Sequence, residues 1–80
     1  MENKKEIVFF KTLIKKYDLP QTLKKIDLKK KAIVEGLTPS TFNNYFFVID
    51  AFELVLYDKA NDFVTFNNDF YKEALKYEIP

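Results

Sequence analysis

Apolar residues recur at three- and four-residue steps through the first two thirds of the chain and alternate after that, and this change of period sets the elements. Ile7, Phe10, Leu13, Ile14 and Tyr17 line one face of a first helix over residues 3–17, with Val8 and Phe9 widening the face. Asn3 is its expected N-cap, with Glu6 three residues later as in a capping box. Asp18-Leu19-Pro20 ends it, because a proline disfavours helical backbone in the residue before it. The next stretch divides in two ways. Leu23, Ile26, Lys30, Ile33, Val34 and Leu37 share a helical face, which supports one helix over 20–35. The favoured division is a short turn at Gln21–Lys25, then a helix with Asp27 as its N-cap. Gly36 then serves as C-cap, free to take positive φ, and Thr38-Pro39 reads as the N-cap and first position of a third helix running to about Phe52. Phe42, Tyr45, Phe46, Ile49 and Phe52 form the stripe of that helix, while Asn43, Asn44, Phe47 and Asp50 lie off it.

Beyond residue 52 the pattern becomes β-branched, aromatic and alternating. It predicts a hairpin at about 53–58 and 62–67, with Asn61 as the candidate for left-handed backbone in the turn. Asn68 or Asn67 caps a last helix over 69–77, with Phe70, Ala74 and Tyr77 facing inward. No repeat or low-complexity linker interrupts the chain, so 1–80 is expected to be one domain.

Composition changes this picture in three ways. Nine Phe and five Tyr in 80 residues supply the dense apolar packing that so short a chain needs. The absence of Cys and His removes disulfides, thiolate metal sites and the commonest general base, so neither an enzyme nor a cofactor or metal is expected. Acid pairs such as Asp58 with Asp62, or Asp50 with Glu53, are expected to be surface charge. No signal peptide is visible, and the longest apolar-rich run, Tyr45 to Tyr57, contains Asp50 and Glu53 and is too short to span a bilayer. A cytoplasmic protein with no membrane association is expected. Finally, the net charge of +1 conceals a polarity. Residues 1–40 carry ten Lys against five acids, and residues 41–80 three Lys against seven. The first half therefore suits a polyanion. The all-lysine cation set, with abundant Asn, Ile and Phe, suggests an AT-rich genome.

The sharpest local signal is Leu28 to Tyr45. Ala32 lies four residues before Gly36, and Phe42 and Tyr45 lie six and nine after it. A small residue allows two helices to cross closely, and a glycine allows the sharp turn between them. The whole order, three helices then a hairpin then a helix, resembles the winged helix-turn-helix family. The expected fold is mainly α with a small β-hairpin: a tri-helical helix-turn-helix core, a wing and a C-terminal helix. The resemblance places Leu37, Phe42 and Tyr45 in the core. It lays the third helix in the major groove of double-stranded DNA, with Pro39, Ser40, Thr41, Asn43 and Asn44 near the base edges. Asn can pair with adenine through two hydrogen bonds, and Ser or Thr can bond a base or a phosphate. Lys24, Lys25, Lys29, Lys30 and Lys31, with Lys15 and Lys16, are candidates for phosphate contact, against the reading of a solvated face. The chain departs from the family in carrying no Lys or Arg on the third helix, Lys31 and Glu35 at commonly apolar positions, and two Asp at the wing tip.

The expectation is a phage, plasmid or prokaryotic regulator or replication accessory that binds an A·T-containing duplex, with a homodimer formed through the first or last helix and Phe47 or Tyr77. The alternative is a protein-binding module or inhibitor acting on a host protein, with the acidic stretch from Asp50 to Glu78 imitating DNA. Phe46, Tyr57 and Phe66 are expected in the core rather than on a stacking platform. Phe47 is the exception, pointed outward by the helical stripe.

Overall fold

The computed structural model describes residues 4–77. The proposed cap at Asn3 lies outside them. Four helices and three short strands follow in the order α1 (Lys4–Tyr17), β1 (Thr22–Lys24), α2 (Lys25–Val34), α3 (Pro39–Ala51), β2 (Val55–Asp58), β3 (Phe63–Phe66) and α4 (Asn68–Leu75). The chain is thus mainly α with a small antiparallel sheet. α1, α2 and α3 form a tri-helical core in which α2, a tight turn and α3 make a helix-turn-helix. The β2–β3 hairpin stands beside it as a wing, and α4 closes the chain.

The core draws on every element: Ile7, Phe10 and Leu13 from α1, Leu23 from β1, Leu28 and Ala32 from α2, Phe42, Phe46 and Ile49 from α3, Val55, Val64 and Phe66 from the strands, and Phe70 and Ala74 from α4. Aromatic rings link these elements in edge-to-face and tilted pairs. Phe10 meets Phe42 at 6.1 Å and Phe66 at 6.2 Å, Phe66 meets Phe70 at 4.8 Å, and Phe46 meets Tyr57 at 5.6 Å. Ala32 is fully buried, and Leu37 and Tyr45, expected in the core, pack half-buried against the cluster.

The stretch after α1 differs from both divisions expected of it. Thr22–Lys24 is an edge strand pairing antiparallel with Thr65, Val64 and Phe63, so the sheet has three strands in the order β1-β3-β2. α2 starts at Lys25, two residues before Asp27, and Lys24 at its N-cap position makes no side-chain cap. The cap comes instead from the wing. Asp62 accepts the Lys25 amide on its backbone carbonyl at 2.8 Å and the Ile26 amide on its carboxylate at 3.3 Å. Asp62, not Asn61, holds the positive φ in the wing turn. The apolar face proposed for a long helix is also redistributed. Leu28 and Ala32 face inward from α2, while Ile26, Ile33 and Val34 are exposed. Phe52 follows the last residue of α3 and is exposed rather than part of its buried stripe. Asn67, not Asn68, caps α4, accepting the Phe70 amide at 3.0 Å.

Three helices end in the same way. The amide of the second residue past the cap bonds the carbonyl five residues back, in Leu19 to Ile14, Leu37 to Ala32 and Leu54 to Ile49, and the residue between takes positive φ. That residue is Asp18, Gly36 or Glu53, at φ 51°, 104° and 59°. In α2 the cap position itself is Glu35, and Gly36 is the residue after it. Only Gly36 occupies this conformation without cost. A Cβ there would meet nothing within 4 Å, so the cost of Gly36→Ala is purely conformational. We expect Gly36→Ala to lose about 1–2 kcal/mol and Glu53→Gly to gain about 0.5–1 kcal/mol. Urea denaturation of the two variants should therefore move in opposite directions.

Candidate nucleic-acid interface

The start of α3 is built by its own sequence. Thr38 has extended backbone, and its Oγ1 accepts the Thr41 amide at 3.1 Å while its hydroxyl donates to Thr41 Oγ1 at 2.9 Å. Pro39 occupies the first turn, where its missing N–H costs nothing. The helix then turns Phe42, Phe46 and Ile49 inward. By the same period Ser40, Asn43, Asn44 and Phe47 face outward, and all four are exposed. Thr41 is half-buried and its hydroxyl is engaged in the cap. Of the proposed α3 residues, Ser40, Asn43 and Asn44 therefore share the free face and Thr41 sits to one side. No acid precedes Asp50 on this helix.

The lysines separate, because a ten-residue helix distributes its side chains around its whole axis. Lys25 and Lys29, one turn apart on α2, line a hollow of about 200 Å³ together with Asn43, Tyr57 and Asp62. A second hollow, also beside Asn43, is lined by Lys25, Phe47, Asp50 and Lys59. Lys24 is exposed on β1, and Lys30 is exposed on α2. Lys31 turns to the opposite flank, where its ammonium lies 4.8 Å from the centre of the Tyr17 ring. There Glu35 accepts Lys16 Nζ at 2.8 Å and the Tyr17 hydroxyl. The bond from Lys16, then that from Tyr17, holds the Glu35 carboxyl below the usual carboxylate range, and the same contacts raise Lys16 and Tyr17. This second cluster ties α1 to the end of α2, and its positive charge is partly met by Glu35.

Beside Asn43 the ammonium of Lys25 stands 4.6 Å from the Phe46 ring centre and 4.9 Å from that of Tyr57, between two aromatic faces that attract a cation. The Tyr57 hydroxyl donates to Asp62 Oδ1 at 2.9 Å, which raises the Tyr57 pKa. The wing acids are thus spent on the turn. Asp62 holds Tyr57 and the start of α2. Asp58 accepts the amides of Ala60 and Asn61 and the Asn61 side chain, and the last of these contributes most to holding its carboxyl low. Lys59 remains exposed at the wing tip and borders the hollow containing Asn43 and Phe47.

No family model, curated protein or solved structure matches the chain.

Residue chemistry alone therefore characterises the site. Sequence reasoning found the α3 face, because stripe and cap are both local. It missed Lys59, Tyr57 and Asp62, whose neighbours at the site come from other elements, and it gave no means of separating Lys25 and Lys29 from Lys30 and Lys31. Among the described residues no group of His, Cys, Asp or Glu is arranged to hold a metal ion, and no helix is long and apolar enough to cross a membrane.

Proposed function

We propose that the protein binds duplex DNA through the outward face of α3, as a small phage, plasmid or prokaryotic regulator or replication accessory. One observation carries this reading. The face from Ser40 to Phe47 is exposed and free of acids, and Lys25, Lys29 and Lys59 border it on the Asn43 side, outnumbering Asp50 and the hydrogen-bonded Asp62 there. Asn43 and Asn44 present the amide that pairs bidentately with adenine N6 and N7 in the major groove. Ser40 and the helix N-terminus meet a phosphate, where the backbone dipole favours an anion. Lys29 and Lys59 extend the contact to phosphates along the Asn43 side, and Lys25 adds charge from its aromatic seat. Two copies, each reading half of a site, give a module of this size useful affinity.

A second reading, docking on a host protein, draws on the exposed Ile26, Ile33 and Val34 of α2. Ile33 and Val34 line neither hollow beside Asn43, whereas Ile26 borders one of them, so Ile33 and Val34 are the positions that test this surface separately.

Fluorescence anisotropy with A·T-rich duplexes across a salt series tests the DNA reading. With three lysines at phosphates, each copy is expected to contribute about −3 to the slope of log affinity against log salt. The double variant Asn43→Ala/Asn44→Ala is expected to lose at least tenfold in affinity for its best duplex with the slope unchanged, at roughly 1–3 kcal/mol per bidentate pair. Absence of duplex binding at low salt would overturn the proposal. Salt-steep binding indifferent to both Asn changes would reduce it to phosphate contact without base reading.

A further inference from the structure

Phe47 is the largest apolar side chain on the α3 face, and it is 71% exposed. Its surroundings are not those of an apolar docking patch. Asn43 and Asn44 precede it by one turn, Asp50 and Ala51 follow by one turn, and all of them are exposed. Lys25 and Lys59 border the same hollow. A protein interface centred here would have to desolvate two amides and a carboxylate around one ring, whereas interface centres are typically depleted of charge; in a major groove the amides meet base edges and the Asp50 carboxylate can accept from a cytosine amino group. The floor of a major groove has the opposite character. It is polar and lined by hydrogen-bonding edges, and its one apolar protrusion is the 5-methyl of thymine.

From this we infer that Phe47 reads thymine: its ring covers the 5-methyl group of a base close to the A·T pair held by Asn43 or Asn44. The inference rests on the DNA-binding reading above and names a specificity element within it. Spacing supports the assignment. Asn43 and Phe47 are separated by about 6 Å along the helix axis, which is about two base-pair steps when the helix lies along the groove. Ser40, the asparagines and Phe47 then follow one another down the same face, from phosphate to adenine to thymine.

Uracil differs from thymine in duplex DNA only by the missing methyl, so the contact can be removed from either side. The probe is the tightest duplex that the wild-type protein recovers from a random-sequence library, with each thymine replaced singly by deoxyuridine. Burial of one methyl predicts about a fourfold loss of wild-type affinity at a contacted position. That position should lie within about two base pairs of an A·T pair whose replacement is tolerated by Asn43→Ala/Asn44→Ala. Phe47→Ala should bind more weakly than wild type and should bind the thymine and uracil duplexes alike. Because the side chain is exposed, the variant should keep wild-type thermal stability, which circular dichroism checks. Wild-type affinity unchanged by uracil at every position would overturn the inference while leaving Asn-dependent binding intact. So would a uracil penalty that persists in Phe47→Ala. Failure to recover any duplex would instead remove the reading on which the inference rests, and the inference with it.

Discussion

Phe10→Ala should cost about 3–5 kcal/mol, the range for truncating a fully buried phenylalanine. For a chain of 80 residues a total stability of roughly 4–12 kcal/mol is expected, so the variant should lose a quarter of it or more, and nearly all of it at the lower end of that range. The position is decisive because of what its ring joins. Phe10 lies on α1, is completely buried, and meets Phe42 of α3 at 77° and Phe66 of β3 at 50°. Phe66 continues to Phe70 of α4, and Phe42 to Phe46 of the same helix. Removing this ring opens a cavity where three elements converge, and none of them can close it without abandoning another contact. Phe10→Leu keeps most of the volume and should cost markedly less. Urea denaturation followed by far-ultraviolet circular dichroism measures both variants. A loss below about 1 kcal/mol for Phe10→Ala would show that the core relaxes around the cavity and is not the interlocked aromatic cluster described here. Phe47→Ala is the internal control, because an exposed site should change stability by less than about 0.5 kcal/mol.

The same distinction between local and distant partners explains what could be read from the sequence. α1 and α3 were legible because stripe, cap and break lie within a few residues of one another, as in Thr38, Pro39 and Phe42. Gly36 was legible because one glycine among 80 residues stood between two helical segments. Thr22–Lys24 was not legible, because its only ladder partners are Thr65, Val64 and Phe63, about forty residues on. A three-residue strand has too little pattern of its own to announce itself. The stripe through Leu23, Ile26, Lys30, Ile33, Val34 and Leu37 keeps a good helical period, but the single helix over 20–35 that it supports, the less favoured division, does not form. It joined residues from a strand, a helix and a turn, while α2 buries only Leu28 and Ala32.

The candidate site divides in the same way. Residue type and periodicity placed Ser40, Asn43, Asn44 and Phe47 outward together. The charge around them could not be placed, since Lys25 and Lys29 reach Asn43 only through the packing of α2 on α3, and Lys59 only through the fold of the wing. The wing acids, which looked ill-suited to a phosphate, prove to be hydrogen-bonded within the turn and to α2.

Asp62→Ala should be the most damaging single change outside the apolar core, at about 2–3 kcal/mol. Three losses combine. The Ile26 amide loses its acceptor at a helix start that has no cap of its own, and a cap is worth about 1 kcal/mol. The Tyr57 hydroxyl, half-buried, loses its partner. Alanine must also hold the left-handed φ of 60° without the short polar side chain that lets Asp adopt it through local hydrogen bonds. Asp62→Gly removes only the last of these and should recover about 1 kcal/mol of the loss. Asp62→Asn keeps an acceptor and tolerates the backbone, so it should cost least, chiefly through the lost attraction of a carboxylate for the α2 dipole. If Asp62→Ala and Asp62→Asn have the same denaturation midpoint, the cap and the tyrosine contact contribute nothing and the account fails. Function should follow stability in a specific way. Asp62 fixes Tyr57, Tyr57 helps to seat Lys25, and Lys25 stands beside Asn43. At a temperature where Asp62→Asn and Asp62→Ala are both fully folded, the alanine variant should therefore show faster amide exchange at Ile26 and weaker duplex binding. A wing that loosens without changing duplex affinity would place the reading face on α3 alone.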